Sequence, residues 1–177
     1  MDIYFVTGVW TKGVSDNEGR DLRGKLSNRL YKNNGNGTVT DVTEQAGVGG
    51  NGVYATGCSA ADYDNDGYVD VYVLNYGPNI LYHNNGNGTF TDVAPEIGLD
   101  TVLLGMAGNY GDLDNDGYLD FFVGTGEPYY TALVPNRMFR NACGKQFQDV
   151  TTSGGFGNLQ KGHGIAFADI NNAITAN

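Results

Sequence analysis

An internal repeat constrains this chain more than any other feature. Residues 31–42 (YKNNGNGTVTDV) return as residues 82–93 (YHNNGNGTFTDV), and again in worn form as residues 139–150 (FRNACGKQFQDV). A second block is interleaved with the first. Residues 62–70 (DYDNDGYVD) match residues 112–120 (DLDNDGYLD). A third copy starts at Asp169 and degenerates, and residues 2–6 (DIYFV) match the stretch from Asp70 onward. A unit that recurs every ~50–60 residues is one supersecondary module that cannot bury its faces alone and must stack on its neighbours.

Each unit reads as short strands. The Asn-Gly-Asn-Gly stretches at 34–37 and 85–88 are hairpin turns, because Asn and Gly tolerate positive φ. Residues 69–74 and 119–123 are β-branched and aromatic runs, and nothing sustains a helical period over three turns. Residues 162–169 precede the third Asp-rich block and also read as strand. The order per unit is strand, Asp-rich loop, strand, connection, strand, Asn-Gly turn, strand. Four strands per unit of this length is the signature of a propeller blade. The expected fold is therefore all-β, a β-propeller of four-stranded blades with about three blade equivalents in the chain. The expected division is a partial first blade at 1–47 with an insertion at 8–25, a second blade at 48–98, a third at 99–153, and the first strand of a further blade at 154–177.

The Asp-rich loops demand a chemical explanation. Four carboxylates within so short a stretch repel one another unless a cation neutralises them, and a hard divalent ion with oxygen ligands does so. In the first loop the candidate ligands are Asp62, Asp64, Asp66, the carbonyl of Tyr68 and Asp70, with Gly67 at the sharp turn. In the second they are Asp112, Asp114, Asp116, the carbonyl of Tyr118 and Asp120, with Gly117. Calcium is favoured over magnesium because a flexible loop offers five or more oxygens. Zinc is disfavoured because neither loop contains His or Cys. An EF-hand is excluded, since Val73 and Val123 stand where its closing Glu belongs and strands flank both loops. Two calcium ions are expected. The third copy offers Asp169, Asn171, Ala173, Thr175 and Asn177, with Ile174 in place of Gly, and is expected to bind weakly or not at all.

Charge and composition bound the partners. With 20 acidic against 10 basic residues the formal charge is −10, which repels phosphate backbones and argues against nucleic acid. No apolar run reaches the ~20 residues of a membrane span, and residues 1–6 lack the basic flank of a secretory signal. Cys58 and Cys143 make neither a disulfide framework nor a zinc cluster. Cys58 lies in a small-residue strand expected to line the propeller axis as a buried thiol, and Cys143 occupies a turn.

These blocks resemble FG-GAP/VCBS repeats, as in integrin-α propellers, and more narrowly the bacterial family related to cartilage acidic protein that carries ASPIC/UnbV domains. The resemblance rests on residues 2–6, 28–47, 60–98, 111–123 and 162–170. It implies a propeller with calcium in the loop between the first two strands of a blade, an extracellular or periplasmic setting, and adhesion or ligand binding. Propellers of that kind have about seven blades, so either this chain is a fragment or copies complete each other. Two copies, each lending its last strand to the other's first blade, would close a ring of about six.

Three functions follow as expectations. The first is a non-catalytic, calcium-stabilised module that binds a glycan or a protein. The second is a propeller-based polysaccharide lyase or hydrolase, for which His83, His163, Tyr129, Tyr130, Glu127 and Arg137 are the side chains with suitable chemistry. His83 is expected to be exposed on its hairpin. His163, in a Lys-Gly-His-Gly stretch, is expected to pack or hydrogen-bond locally. The third is a subunit of a larger self-assembled propeller. The insertion, with Trp10, Lys12, Arg20, Arg23 and Lys25, forms the expected recognition surface together with Tyr129 and Tyr130.

Overall fold

The computed structural model describes residues 1–8, 27–126, 134–160 and 162–168. Trp10, Lys12, Arg20, Arg23, Lys25, Glu127, Tyr129, Tyr130 and the third Asp-rich copy from Asp169 on lie outside these residues.

The first unit is a three-stranded antiparallel sheet of β1 (Ile3–Phe5), β2 (Arg29–Asn33) and β3 (Val39–Asp41). The second unit holds β4 (Tyr54–Ala61), β5 (Asp70–Gly77), β6 (Ile80–Asn84) and β7 (Phe90–Asp92). The third holds β8 (Leu103–Gly111), β9 (Asp120–Thr125), β10 (Arg137–Asn141) and β11 (Phe147–Asp149). Within each unit the strands pair in sequence order, all antiparallel. The second and third units join where Tyr76 and Gly77 pair with Leu104 and Leu103, so their strands form one continuous, curled sheet. This is the all-β, partial β-propeller expected from the repeat.

The hairpins form where Asn and Gly place them. The Asn34 N–H donates to the Thr38 carbonyl, the Asn85 N–H to that of Thr89, and the Ala142 N–H to that of Gln146. Each of the first two hairpins is followed by one helical turn that the strand pattern does not foresee, α1 (Thr43–Ala46) and α2 (Ala94–Ile97). Both follow an Asp whose carboxylate accepts the N–H two residues on, Asp41 from Thr43 and Asp92 from Ala94. Such short Asx-type turns carry no helical periodicity, which is why a pattern search passes over them.

The units stack face to face. Tyr72, Leu74, Leu81, Leu103, Phe121, Val123 and Phe139 form one buried cluster, with Tyr72 edge-on to Phe121 at 4.3 Å. Val48, Ala55, Val71, Val73, Ile80 and Tyr82 form a second, packed against Tyr4, Val6 and Leu30 of the first unit. Each large side chain so buried contributes about 1.5–3 kcal/mol. A repeated latch pins the outer connection: the Tyr4 hydroxyl donates to the Val48 carbonyl at 2.8 Å, and the equivalent Tyr72 hydroxyl to that of Leu99 at 3.1 Å. The third unit has Phe122 at this place, and its ring packs on Phe156 instead.

Two expectations are corrected. Cys58 is exposed rather than buried. It lies on β4, the innermost strand of its unit, and the stacked units here do not close a ring around that side. Residues 162–168 are extended but do not enter a ladder. They follow β8 and β9 through single bonds, the Gly162 N–H to the Thr125 carbonyl and the Asn109 amide to the Ile165 carbonyl. The equivalent β4 gains its ladder from the strand after its Asp-rich loop, and here the residues beyond 168 lie outside those described.

Candidate metal centres

Both Asp-rich loops join the first two strands of a unit, residues 62–70 between β4 and β5 and residues 112–120 between β8 and β9. The loops share the hydrogen bonds that shape their turns. Asp62 accepts from the N–H groups of Asp66 and Gly67 at 3.2 and 2.9 Å, and Asp112 from those of Asp116 and Gly117 at 3.1 and 3.0 Å. Asp66 accepts from the Tyr68 N–H at 2.8 Å and Asp116 from the Tyr118 N–H at 2.9 Å. Gly67 and Gly117 have φ of 90° and 89°, a conformation in which a Cβ would be strained.

The last Asp of each loop opens the following strand and is fully buried. Asp70 accepts from the Tyr63 N–H with one oxygen and, at 2.8 Å, from the Asn84 N–H with the other. Asp120 does the same with Leu113 and Asn141. In the first unit Asp2 accepts from the Asn33 N–H, also at 2.8 Å, so residues 2–6 do hold the tail position of this pattern.

These folds converge carboxylates. One ligand oxygen from each of Asp62, Asp64 and Asp70 lies within 4.8 Å of the others, and likewise from Asp112, Asp114 and Asp120. Oxygens on opposite sides of a calcium ion held at ~2.3–2.6 Å stand about that far apart. Burial pushes Asp70 up to about 6 despite its two backbone donors. Burial also raises Asp64, with the charge of Asp66 adding to it, and burial raises Asp120. The folded chain thus resists charging these groups, and a divalent cation reverses that penalty. The Asp62, Asp64 and Asp70 set and the Asp112, Asp114 and Asp120 set, all carboxylate oxygens, fit calcium.

Asp66 and Asp116 stand at the outer side of their loops, each beside a basic group that the loop motif alone does not place there. Asp64, Asp66 and His83 form a further cluster within 4.8 Å. The expectation of an exposed His83 on its hairpin is corrected. It lies on β6, opposite Thr91, and its side chain is only 25% exposed. Strand alternation turns the ring into the loop, edge-on to Tyr63. Arg140 on β10 pairs with Asp114 and approaches Asp116 at 3.6 Å. The signal that finds both is a basic residue followed by Asn at the same place in each repeat: Lys32-Asn33, His83-Asn84, Arg140-Asn141.

The remaining candidates are dispersed. Arg137 is occupied by Asp149 at 2.9 Å, and His163 is exposed. The Tyr68 side chain is exposed, and its expected role is a main-chain one.

Comparison with known proteins agrees with the geometry. The FG-GAP-like repeat profile matches residues 2–73, 62–123 and 112–172. Cartilage acidic protein 1 of Xenopus tropicalis is 34% identical over 73 residues, which cover 39% of this chain and 11% of the relative. Cartilage acidic protein 1 of Mus musculus is 38% identical over 71 residues, covering 38% of this chain and 11% of the relative. The matched stretch thus spans about a tenth of the curated relatives. With three overlapping matches across almost all of its length, the chain belongs to the FG-GAP-like repeat family.

Proposed function

We propose that this chain is a calcium-stabilised, non-catalytic propeller module that binds a glycan or protein ligand outside the cytoplasm. The observation that carries this is the convergence of three carboxylates at two repeat-equivalent loops. Asp62, Asp64, Asp66, the Tyr68 carbonyl and Asp70 would hold one ion, and Asp112, Asp114, Asp116, the Tyr118 carbonyl and Asp120 the other. Calcium supplies charge neutralisation, and the loops it pins set the spacing between the first two strands of each blade. Modules of this type bind at ~10⁻⁴–10⁻³ M, useful only where calcium is plentiful. That supports an extracellular or periplasmic setting. Among the described residues no helix is long and apolar enough to cross a membrane.

The blade division at 47/48, 98/99 and 153/154 belongs to this reading, as does ring completion by further blades from a longer chain or a second copy. Ile3 and Phe5, on one face of β1, are 55% and 58% exposed, and the inner strand β4 leaves Cys58 uncovered. Both surfaces favour additional blades.

The test is calcium titration with thermal unfolding. Binding to the native state alone stabilises by about 2.7 kcal/mol at a hundredfold excess over Kd. Asp66→Ala and Asp116→Ala should each remove much of the calcium-dependent rise in Tm. A Tm indifferent to chelator in parent and variants would refute the reading.

A further inference from the structure

Residues outside the ligand sets join the two loops across the seam between units. The Asn141 side-chain amide donates to the Tyr63 carbonyl at 2.8 Å and to the Leu119 carbonyl at 3.1 Å. These carbonyls belong to the peptides that enter Asp64 of the first loop and Asp120 of the second. The Asn141 N–H also donates to the Asp120 carboxylate at 2.8 Å. Farther out, the Asn65 amide donates to the Gly117 carbonyl at 2.9 Å. Asn65 stands between Asp64 and Asp66, and the Gly117 N–H in turn donates to Asp112 at 3.0 Å. The Tyr63 ring is buried beside Phe147 of β11, with 6.0 Å between centroids. Gly144 lies so close to Asp64 that a Cβ there would stand 2.7 Å from the Asp64 Cβ. The ligands of the first loop are thus backed by the third unit.

The outer part of each loop has little else to order it. Residues 65–69 and 113–117 are exposed, and a segment with few buried contacts opens at low cost in free energy. Gathering the carboxylates adds a repulsion that a divalent cation removes. An ion in the second loop fixes Asp112, Asp120 and the peptides beside them. Asn65 and Asn141 then have fixed partners, and the backbone on either side of Asp64 loses freedom before an ion reaches it. The next ion therefore costs less ordering entropy, which is positive coupling. Two bound cations repel each other, so a purely electrostatic link between the loops has the opposite sign.

We propose that Asn65 and Asn141 are positioning residues that couple the two calcium loops, so that an ion in either one tightens the other. This rests on the calcium reading above and goes beyond it, since neither residue is among the ligands of that reading. The coupling is reciprocal by thermodynamic necessity.

The experiment is calorimetric titration of the chain as it stands with calcium chloride. The parent should take up two ions, the second more tightly than the first. Asp114→Ala disables the second loop, and the first should then bind about tenfold more weakly than in the loaded parent; Asp64→Ala should weaken the second loop by the same factor. Asn65→Gly keeps the φ of 61° unstrained and every ligand in place, and should shrink that gain severalfold. Asn141→Ala should do the same. Circular dichroism in chelator establishes that each variant is folded. Should a variant at 64, 114 or 141 not fold, the two binding steps of Asn65→Gly against those of the parent decide. Calcium binding by the parent in two independent steps, or a gain unmoved in Asn65→Gly, would overturn the coupling and leave the calcium reading intact. A parent that takes up no calcium would overturn both.

Discussion

The side-chain amide of Asn141 donates to the carbonyl of Tyr63, 78 positions away in sequence, at 2.8 Å. The same amide reaches the Leu119 carbonyl at 3.1 Å, and the Asn141 N–H donates to Asp120. One fully buried residue therefore ties the first Asp-rich loop to the second. Asn65 makes a second tie, its amide donating to the Gly117 carbonyl at 2.9 Å. The two loops are parts of one surface, built across the seam between units.

Asn141→Ala should lower stability by about 2–3 kcal/mol, because it leaves two carbonyls of the seam without their donor. Asn65→Gly, which keeps the left-handed φ of 61° unstrained and removes only an exposed amide, should cost about 0.5–1 kcal/mol. Chemical denaturation of both variants checks the contrast. Equal losses would show that the seam is not held at Asn141.

The pH dependence of stability in chelator follows from the buried aspartates. Asp70 in the folded chain is raised to about 6, and Asp64 and Asp120 are raised in the same direction. A raised carboxyl holds its proton more firmly folded than unfolded, so its contribution is complete below the unfolded value and is lost as pH climbs through the folded one. Asp41 and Asp149 are shifted down, Asp41 chiefly by its bonds to Thr43, and Asp149 by Thr151 and Arg137 against its burial, so they act only below the ordinary carboxylate range. The metal-free chain should therefore melt at a higher temperature near pH 5 than near pH 7.5, and saturating calcium should flatten or reverse the trend. Melting curves across that interval, with and without calcium, decide it.

Tyr110 packs against Phe121 at 4.6 Å, and its hydroxyl is buried without a hydrogen-bond partner. Removing an unsatisfied buried hydroxyl while keeping the ring relieves a desolvation cost of about 1 kcal/mol. Tyr110→Phe should raise Tm or leave it unchanged. A clear drop in Tm would mean that the hydroxyl has a partner of its own.

Phe121 lies wholly buried between Tyr72 and Tyr110 at the junction of the second and third units. Phe121→Ala should cost about 3–5 kcal/mol. Val71→Ala, in the other buried cluster, removes less side chain and should cost about 1–3 kcal/mol. If unfolding is followed by near-ultraviolet circular dichroism, the first variant should lose its aromatic signal at lower denaturant than the second.

The repeat by itself determined the strand order, the hairpins, the blade-like unit and the convergence of loop aspartates. Each of these is local: Asn-Gly turns close their own strands, and Asp-x-Asp-x-Asp-Gly wraps carboxylates around its own backbone. Tertiary structure decided what lies across strands and between units. His83 reads as a hairpin residue in sequence, yet antiparallel register carries it into a loop formed by residues 62–70. Arg140 and Asn141 reach carboxylates and carbonyls of two loops for the same reason. Cys58 has the small-residue surroundings of a buried strand, but burial there depends on how many units stand around the axis. A one-dimensional pattern encodes which face a side chain takes; only the stacking of sheets settles what that face meets.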